Sequence, residues 1–270
     1  MSFSVLIPVY KNDILHEFSK SINSVLDQTL KSNDIVIVVD GPVPDDINEY
    51  LSKLNYRDDI NIFYLEKNNG LAKALNFGLT KCKHEIIFRQ DADDISLNNR
   101  FKLQFKKLSD DPEIAMMSAW GDFFNESGKY LYTRKLPEKN EDIIKFSKMR
   151  TPINHPVTVF RKSAVLSVGG YPDHKTFFED WWLSMKLIKS GFKLYNLQEV
   201  LVNIRCPQDL YKRRSGLNYA KLELNDLFLL WKKNLIGTLT FAKNIVIKMP
   251  IRLLPLSFVE LFYKFIKRNL

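Results

Sequence analysis

Cysteine is scarce: Cys82 and Cys206 are the only two in 270 residues. They lie too far apart for a disulfide framework or a zinc pattern, so both read as reduced, ordinary small residues of a cytosolic protein. Long apolar runs are missing as well, and no stretch approaches the ~20 residues that cross a bilayer. Residues 1–10 hold a short apolar stretch without a basic lead, which predicts a first strand rather than a secretory signal and a protein that stays where it is made. There is no Walker sequence and no Gly-x-Gly-x-x-Gly, so neither a P-loop nor a dinucleotide fold is supported. Repeats and low-complexity segments are lacking too.

What is present is enough to bury a full core, and the length suits one large α/β domain with an appendage. The first half alternates apolar runs with amphipathic segments, the pattern of a mostly parallel central sheet with helices on both faces. Strands are expected over residues 4–8, 35–40, 60–65 and 85–88, with helices over 14–28, 45–54 and 71–80. Each strand ends in polar residues: Tyr10-Lys11-Asn12, Asp40-Gly41, Lys67-Asn68-Asn69-Gly70, and Asp91-Ala92-Asp93-Asp94. Four strand ends therefore supply one rim, where open parallel sheets place their ligands.

The Asp91–Asp94 tetrapeptide is the most informative segment of the chain. Carboxylates spaced in this way at the carboxyl end of a strand are hard oxygen ligands, suited to a metal-bound diphosphate. Taken alone, an Asp-rich turn reads the same way. With no phosphate-binding glycine loop, such a ligand must be held by metal and side chains.

Beyond Asn98 a helix is expected over 99–108, a long strand over 114–124, and its hairpin partner over 130–134. The prolines of Thr151-Pro152-Ile153-Asn154-His155-Pro156 fix a loop. A strand follows over 157–160, then a turn at Gly169-Gly170-Tyr171 and a helix over 179–190 that opens with Glu179 and Asp180.

The order Val5-Leu6-Ile7-Pro8-Val9-Tyr10, Val38-Val39-Asp40-Gly41, Asn69-Gly70-Leu71-Ala72-Lys73-Ala74-Leu75-Asn76, Asp91-Ala92-Asp93-Asp94 and Phe178-Glu179-Asp180-Trp181-Trp182-Leu183 resembles family 2 glycosyltransferases of the GT-A fold over roughly residues 3–215. It is most similar to the bacterial branch that builds O-antigen and exopolysaccharide units, the amylovoran type, which Asn154-His155-Pro156 and Phe160-Arg161-Lys162 also fit. The resemblance implies that Pro8, Val9 and Tyr10 form a nucleotide floor, joined by Asn69, Lys73 and Arg89, and that Asp40 accepts the uracil N–H. Asp40 also reads as a plain turn residue before Gly41. Asp91 is expected on the ribose side and near the metal, Asp93 on the Mn²⁺ or Mg²⁺ itself, and Asp94 as an orienting group or a contact to the donor sugar.

The same resemblance makes Asp180 the catalytic base, with Glu179 beside it; helix capping is the bland alternative for Asp180. His155 is either a further ligand, an acceptor contact or a structural residue. Of Trp181 and Trp182, one is expected in the core and the other is a candidate to stack on an acceptor sugar, since adjacent helical residues do not share a face. Arg205 and Lys212-Arg213-Arg214 lie where related enzymes bring basic residues to a diphosphate, with a solvated basic loop as the alternative. The Gln-x-x-Arg-Trp sequence of processive members is missing, which predicts a single transfer.

From Lys221 the chain becomes basic and apolar together, so residues 1–220 read as the catalytic domain and 221–270 as a basic amphipathic helical tail. Such helices suit an anionic inner-membrane surface; packing on the domain or dimerisation is the alternative. The net charge of +9 gathers in this apolar tail rather than along a groove of basic and aromatic residues, so no nucleic-acid partner is expected. Together these features, with the resemblance, predict a peripheral, inverting transferase at the cytoplasmic face of the plasma membrane. The branch resemblance alone implies that it would move one hexose, galactose or glucose in β-1,3 linkage, from a UDP-sugar to a polyprenyl-diphosphate-linked glycan such as GlcNAc-diphospho-undecaprenol. Another donor (UDP-GlcNAc, UDP-GalNAc or dTDP-rhamnose) and a non-catalytic nucleotide-sugar-binding protein are the alternatives.

Overall fold

The computed structural model describes residues 2–207, 212, 214–254 and 258. Strands form where apolar runs are densest. β1 (Ser4–Val9) and β2 (Ile35–Asp40) are buried along nearly their whole length, as parallel strands covered on both faces must be. Alternate residues face opposite layers. Val5, Ile7, Ile35 and Ile37 pack with helices α1 (Leu15–Leu26) and α2 (Asp45–Leu54), whereas Leu6, Val36 and Val38 pack with α3 (Leu71–Lys81). With β3 (Ile60–Leu65) and β4 (Ile86–Arg89) these strands make the parallel half of the sheet, in the order β3-β2-β1-β4.

The second half adds β5 (Ile95–Ser96), α4 (Arg100–Asp110), β6 (Ile114–Phe124), β7 (Tyr130–Arg134) and α5 (Asn140–Ser147). Then follow a 3-10 turn (His155–Val157), β8 (Val159–Arg161), α6 (Lys162–Ser167), α7 (Glu179–Lys189) and β9 (Lys193–Arg205). The strand expected from residue 157 starts at Val159 because the 3-10 turn takes up Pro156 and Val157. Strand β9, α5 and α6 are additions that the sequence did not announce. β8 pairs antiparallel with both β4 and β6, and β9 runs parallel to β6. Consequently β1, β2, β4, β6 and β9 point the same way, and their carboxyl ends share one rim.

Two further helices, α8 (Leu217–Lys232) and α9 (Thr238–Leu253), close the described chain. Helix α8 starts at Leu217, four residues before the composition changes. The pair does not float free: Leu227, Leu230 and Ile236 are buried against Trp181, Trp182 and Met185 of α7. Between the two helices the buried Glu223 accepts from Arg252 Nε at 2.6 Å and lies 3.2 Å from Lys248 Nζ, so its charge is compensated where it is desolvated. Among the described residues no helix is long and apolar enough to cross a membrane. Both cysteines are buried.

Candidate active site

The Asp91–Asp94 turn leaves β4 at the shared rim, and a buried polar network holds its backbone from below. Gln90, fully buried, donates to the carbonyls of Asp91 and Asp94 and accepts from Ser96 and from Arg100 Nη1 at 2.7 Å. Ser21 on α1 donates to the Asp91 carbonyl at 2.7 Å. With its backbone pinned on both sides, the turn presents Asp91 and Asp93 half-buried at the surface while Asp94 stays at 2% exposure. Each carboxylate has a different partner. Asp91 pairs with Arg89, Asp93 Oδ2 lies 3.5 Å from Arg205 Nη1, and Asp94 Oδ1 accepts the Arg205 backbone N–H at 2.8 Å.

Negative charge exceeds positive here. Burial, together with the Asp91 carboxylate, raises Asp93 to about 6, and burial with both neighbouring carboxylates holds Asp94 well above the ordinary range. Asp13, at the end of the β1 rim, is raised to about 7 by burial, with Asp93 and Asp91 adding to it. A cation beside the half-buried Asp91 and Asp93 would make these three carboxyls easier to ionise, so the turn fits a hard divalent metal. Among the described residues no three His, Cys, Asp or Glu side chains converge on a common point. A metal held by Asp91 and Asp93 would need further oxygen ligands from a bound molecule.

Asp40 lies at 3% exposure, and both its oxygens accept backbone N–H groups, from Asn69 at 2.7 Å and Gly70 at 2.9 Å. It therefore anchors the entry to α3 against the end of β2. An added contact to uracil would have to use its remaining lone pairs. Gly41 is required next to it: φ is +81°, and a Cβ would stand 2.4 Å from the Asn68 nitrogen. On the expected nucleotide floor Tyr10 is 38% exposed and Pro8 half-buried, but the Val9 side chain faces the core at 1% and can offer only backbone. Lys73 is exposed on the first turn of α3, with Asn69 half-buried before it.

Arg89 is 2% exposed, which corrects its expected place on the nucleotide surface: it supports Asp91 from beneath, and its Nε and Nη1 have no hydrogen-bond partner. His155 is likewise buried, at 8%, and its Nε2 lies 3.1 Å from the Tyr171 hydroxyl. Burial, with Arg89 nearby, pushes its pKa well below the usual imidazole value, so it is neutral at physiological pH. Tyr171 is fixed in turn by Asn76 of α3, which accepts its N–H at 2.8 Å and donates to its carbonyl at 3.1 Å. Gly170 permits this contact, since a Cβ there would strike Asn76 Oδ1. The half-buried Asn76 and the buried Tyr171, His155 and Arg89 thus form a wall under the cleft.

Glu179 and Asp180 open α7 beside this wall, both half-buried. The capping alternative fails in its simple form, because the N-cap of α7 is Phe178 and Asp180 sits inside the first turn, with Oδ1 accepting the Trp181 N–H at 2.7 Å. Burial raises the pKa of Asp180, opposed by Arg134, the Thr151 hydroxyl, that N–H and Arg214. Burial and the Asp180 charge raise Glu179 to about 7. A carboxylate with a raised pKa, partly open to solvent, is equipped to accept a proton near neutral pH.

Neither tryptophan is presented to a ligand, which corrects the expectation that one stacks on a sugar. Trp181 and Trp182 are 1% and 0% exposed, and their indole N–H groups donate to the Ser147 carbonyl and to Asp226 Oδ1, each at 2.7 Å. Two adjacent residues are both buried because α7 is covered on two sides, by α5 and by α8 with α9. Arg214 is exposed and acts on Asp180, whereas Arg213 lies outside the described residues. Sequence reasoning missed Asp13, Gln90, Arg100 and Arg134; only Gln90, adjoining the Asp turn, carried a local signal.

The glycosyl transferase family 2 model matches residues 4–168. A UDP-Gal:α-D-GlcNAc-diphosphoundecaprenol β-1,3-galactosyltransferase of Escherichia coli is 34% identical over 268 residues, 99% of this chain and 97% of the relative. The amylovoran biosynthesis glycosyltransferase AmsE of Erwinia amylovora is 36% identical over 262 residues, 97% and 98% of the two chains. Among solved structures, TarS residues 1–349 of S. aureus in complex with UDP-GlcNAc align with TM-score 0.65 at 15% identity, over 84% of this chain and 66% of that one. The mannosyltransferase PcManGT of Pyrobaculum calidifontis, in complex with GDP-Man and Mn²⁺, aligns with TM-score 0.62 at 15% identity, over 92% and 68%. These two share the GT-A-like fold of the chain. With the family match over most of the sheet and two bacterial relatives aligned end to end, the chain belongs to glycosyl transferase family 2, in its bacterial polysaccharide branch.

Proposed function

We propose that this enzyme transfers a single hexose, galactose or glucose, from a UDP-sugar to a GlcNAc-diphospho-undecaprenol-type lipid, with inversion and in β-1,3 linkage. The observation that carries the reading is the pairing, on one rim, of a carboxylate turn at Asp91 and Asp93 with a carboxylate of raised pKa at Asp180. Full-length similarity to a galactosyltransferase of that printed specificity supports the choice of donor and acceptor. Other donors on a later intermediate stay within the same chemistry.

Asp91 and Asp93 would hold Mn²⁺ or Mg²⁺, which supplies positive charge to the diphosphate that departs. Arg205, beside Asp93, adds a second positive group on the leaving-group side. Asp180 takes the proton from the acceptor hydroxyl as that oxygen bonds to the anomeric carbon and the bond to UDP breaks. The attack comes from the face opposite the leaving group, which inverts the centre. Gln90, Arg100 and Ser21 keep the turn still while charge shifts across it, the preorganisation on which such electrostatic stabilisation depends.

The outer faces of α8 and α9 support a membrane-surface location. Leu217, Leu224, Phe228, Leu239, Val246 and Leu253 are exposed, interleaved with the exposed Lys221, Lys232 and Lys243. An apolar stripe with lysines at its edges suits the anionic cytoplasmic leaflet where a lipid-linked acceptor resides. The test is a panel of labelled nucleotide sugars offered with GlcNAc-diphospho-lipid, with Mn²⁺ and with EDTA. Transfer from one UDP-hexose that EDTA stops supports the reading; no transfer from any donor rejects it.

A further inference from the structure

Two separate sets of arginines stand by the carboxylates of the site. The cations acting on the carboxylate turn are Arg89 and Arg205, and those acting on Asp180 are Arg134 and Arg214. Arg150 belongs with the second set, because it and Arg214 are both near enough to Arg134 to disfavour its charge. Each is positioned by a different element. Arg134, half-buried at the end of β7, donates through Nη2 to the Thr151 carbonyl at 3.1 Å, next in sequence to Arg150. Arg150, on the loop after α5, lies over the Phe146 ring at 4.2 Å. Arg214 is held at its carbonyl by Arg252 Nη1 at 3.2 Å, and Arg252 is fixed by the buried Glu223.

Arg134 and Arg214 act on Asp180, with Arg150 beside Arg134, so cations outnumber the Glu179 and Asp180 carboxylates, and the salt bridges among the described residues include none of the three arginines. Planar guanidinium forks match phosphate oxygens, and such a cluster is the usual protein answer to a phosphate group. An apolar edge adjoins it. Phe177, 58% exposed, stacks on Tyr219 at 6.1 Å, and Leu217 is 67% exposed three residues beyond Arg214. A base, cations and exposed apolar side chains therefore adjoin here, the three kinds of group that a sugar, a diphosphate and a lipid chain call for.

The geometry points to Arg134, Arg150 and Arg214 as the site that grips the diphosphate of the lipid-linked acceptor, separate from the donor diphosphate site at Asp91, Asp93 and Arg205. This rests on the acceptor reading above. It gives Asp180 a defined acceptor, because a diphosphate held on one side of the base sets how far the sugar hydroxyl reaches towards it. It also makes α8 and α9 part of the acceptor site, through the Glu223–Arg252 pair that holds Arg214.

The test compares two synthetic acceptors with the same sugar and alkyl chain, one linked through a diphosphate and one through a plain ether. Wild type, Arg150→Gln, Arg214→Gln and Arg150→Lys are assayed at saturating donor, and donor KM is measured separately. Wild type should prefer the diphosphate acceptor by about a hundredfold in kcat/KM. Each Gln variant should raise the KM for that acceptor about tenfold with donor KM unmoved, as expected when one charge-assisted contact is lost. Arg150→Lys should recover part of the loss. Equal use of the two acceptors by wild type, or a rise in donor KM instead of acceptor KM, overturns the assignment. Calorimetric binding of the diphosphate acceptor to the same proteins in EDTA separates the two claims. Arginine-dependent binding without transfer would sink the proposed function and keep this site; transfer indifferent to the arginines would do the reverse.

Discussion

Asp94 accepts the backbone N–H of Arg205 at 2.8 Å, a bond between the turn after β4 and the last residue of β9, 111 positions apart. It explains why a carboxylate at 2% exposure is kept in a cluster already crowded with negative charge. Asp94 is too buried to meet a ligand; it sets the end of β9 so that the Arg205 guanidinium reaches Asp93. On the proposed mechanism, the third Asp of the tetrapeptide is thus a positioning residue for a cation on the leaving-group side.

Asp94→Ala should lower both stability and kcat/KM for the donor, because a buried N–H loses its acceptor, a loss of about 1–3 kcal/mol. Asp94→Asn should be much milder, since its amide oxygen can accept the same N–H. Thermal melts of both variants, with donor KM for each, check this. Equal damage in the two would show that the charge of Asp94, not its acceptor oxygen, is what matters.

Glu179 binds its proton more tightly in the folded protein, at about 7, than an ordinary glutamate at about 4.5. Ionising it therefore weakens the fold as pH rises past 7, and the penalty fades as pH falls towards 4.5. Glu179→Gln should raise Tm by a few degrees at pH 8, from about 1–3 kcal/mol of relieved burial, with the gain gone by pH 5. A Tm gain that is the same at both pH values would contradict the shift.

Asp226, at 1% exposure, accepts from Trp182 Nε1 at 2.7 Å and from Thr176 at 2.9 Å, and pairs with His174 at 2.9 Å. Helix α8 thereby holds the loop that leads into Glu179 and Asp180. Removing residues 217–270 should leave an insoluble chain rather than an active core, because Trp181 and Trp182 lose their cover. Within the full chain, Leu227→Ala should destabilise by about 2–5 kcal/mol, read by urea unfolding. A soluble, active truncation would refute the claim that the helices complete the catalytic body.

For the outer face, Leu239→Asp with Val246→Asp should abolish sedimentation with anionic vesicles while leaving Tm within about a degree, since both side chains are exposed. Unchanged vesicle binding would remove the membrane from the account.

Much of the parallel half was legible in the sequence, because β1, β2 and β4 are continuous apolar runs ending in polar turns and local periodicity suffices to find them. Strand β9 was not: its residues are mostly half-buried, and it is specified by pairing with β6 some eighty residues away, through a register that slips at Ala119 and Trp120. The carboxylates of the site were readable as a motif, whereas their supports were not. Arg100 and Arg134 reach the supports of the site from a helix and a hairpin strand whose own sequences look like solvated surface, and only the fold turns them inward. Trp181 and Trp182 were misread for a related reason, since a one-faced helix was assumed where α7 is covered twice.

The most direct test is Asp180→Asn measured beside wild type for turnover and, separately, for UDP-hexose binding in the presence of Mn²⁺. The substitution keeps the size and the Trp181 contact but removes the proton acceptor. Turnover should fall at least about a hundredfold while the donor Kd changes less than about threefold, the signature of a lost base. A purified, folded Asp180→Asn enzyme with near-normal turnover would contradict the account.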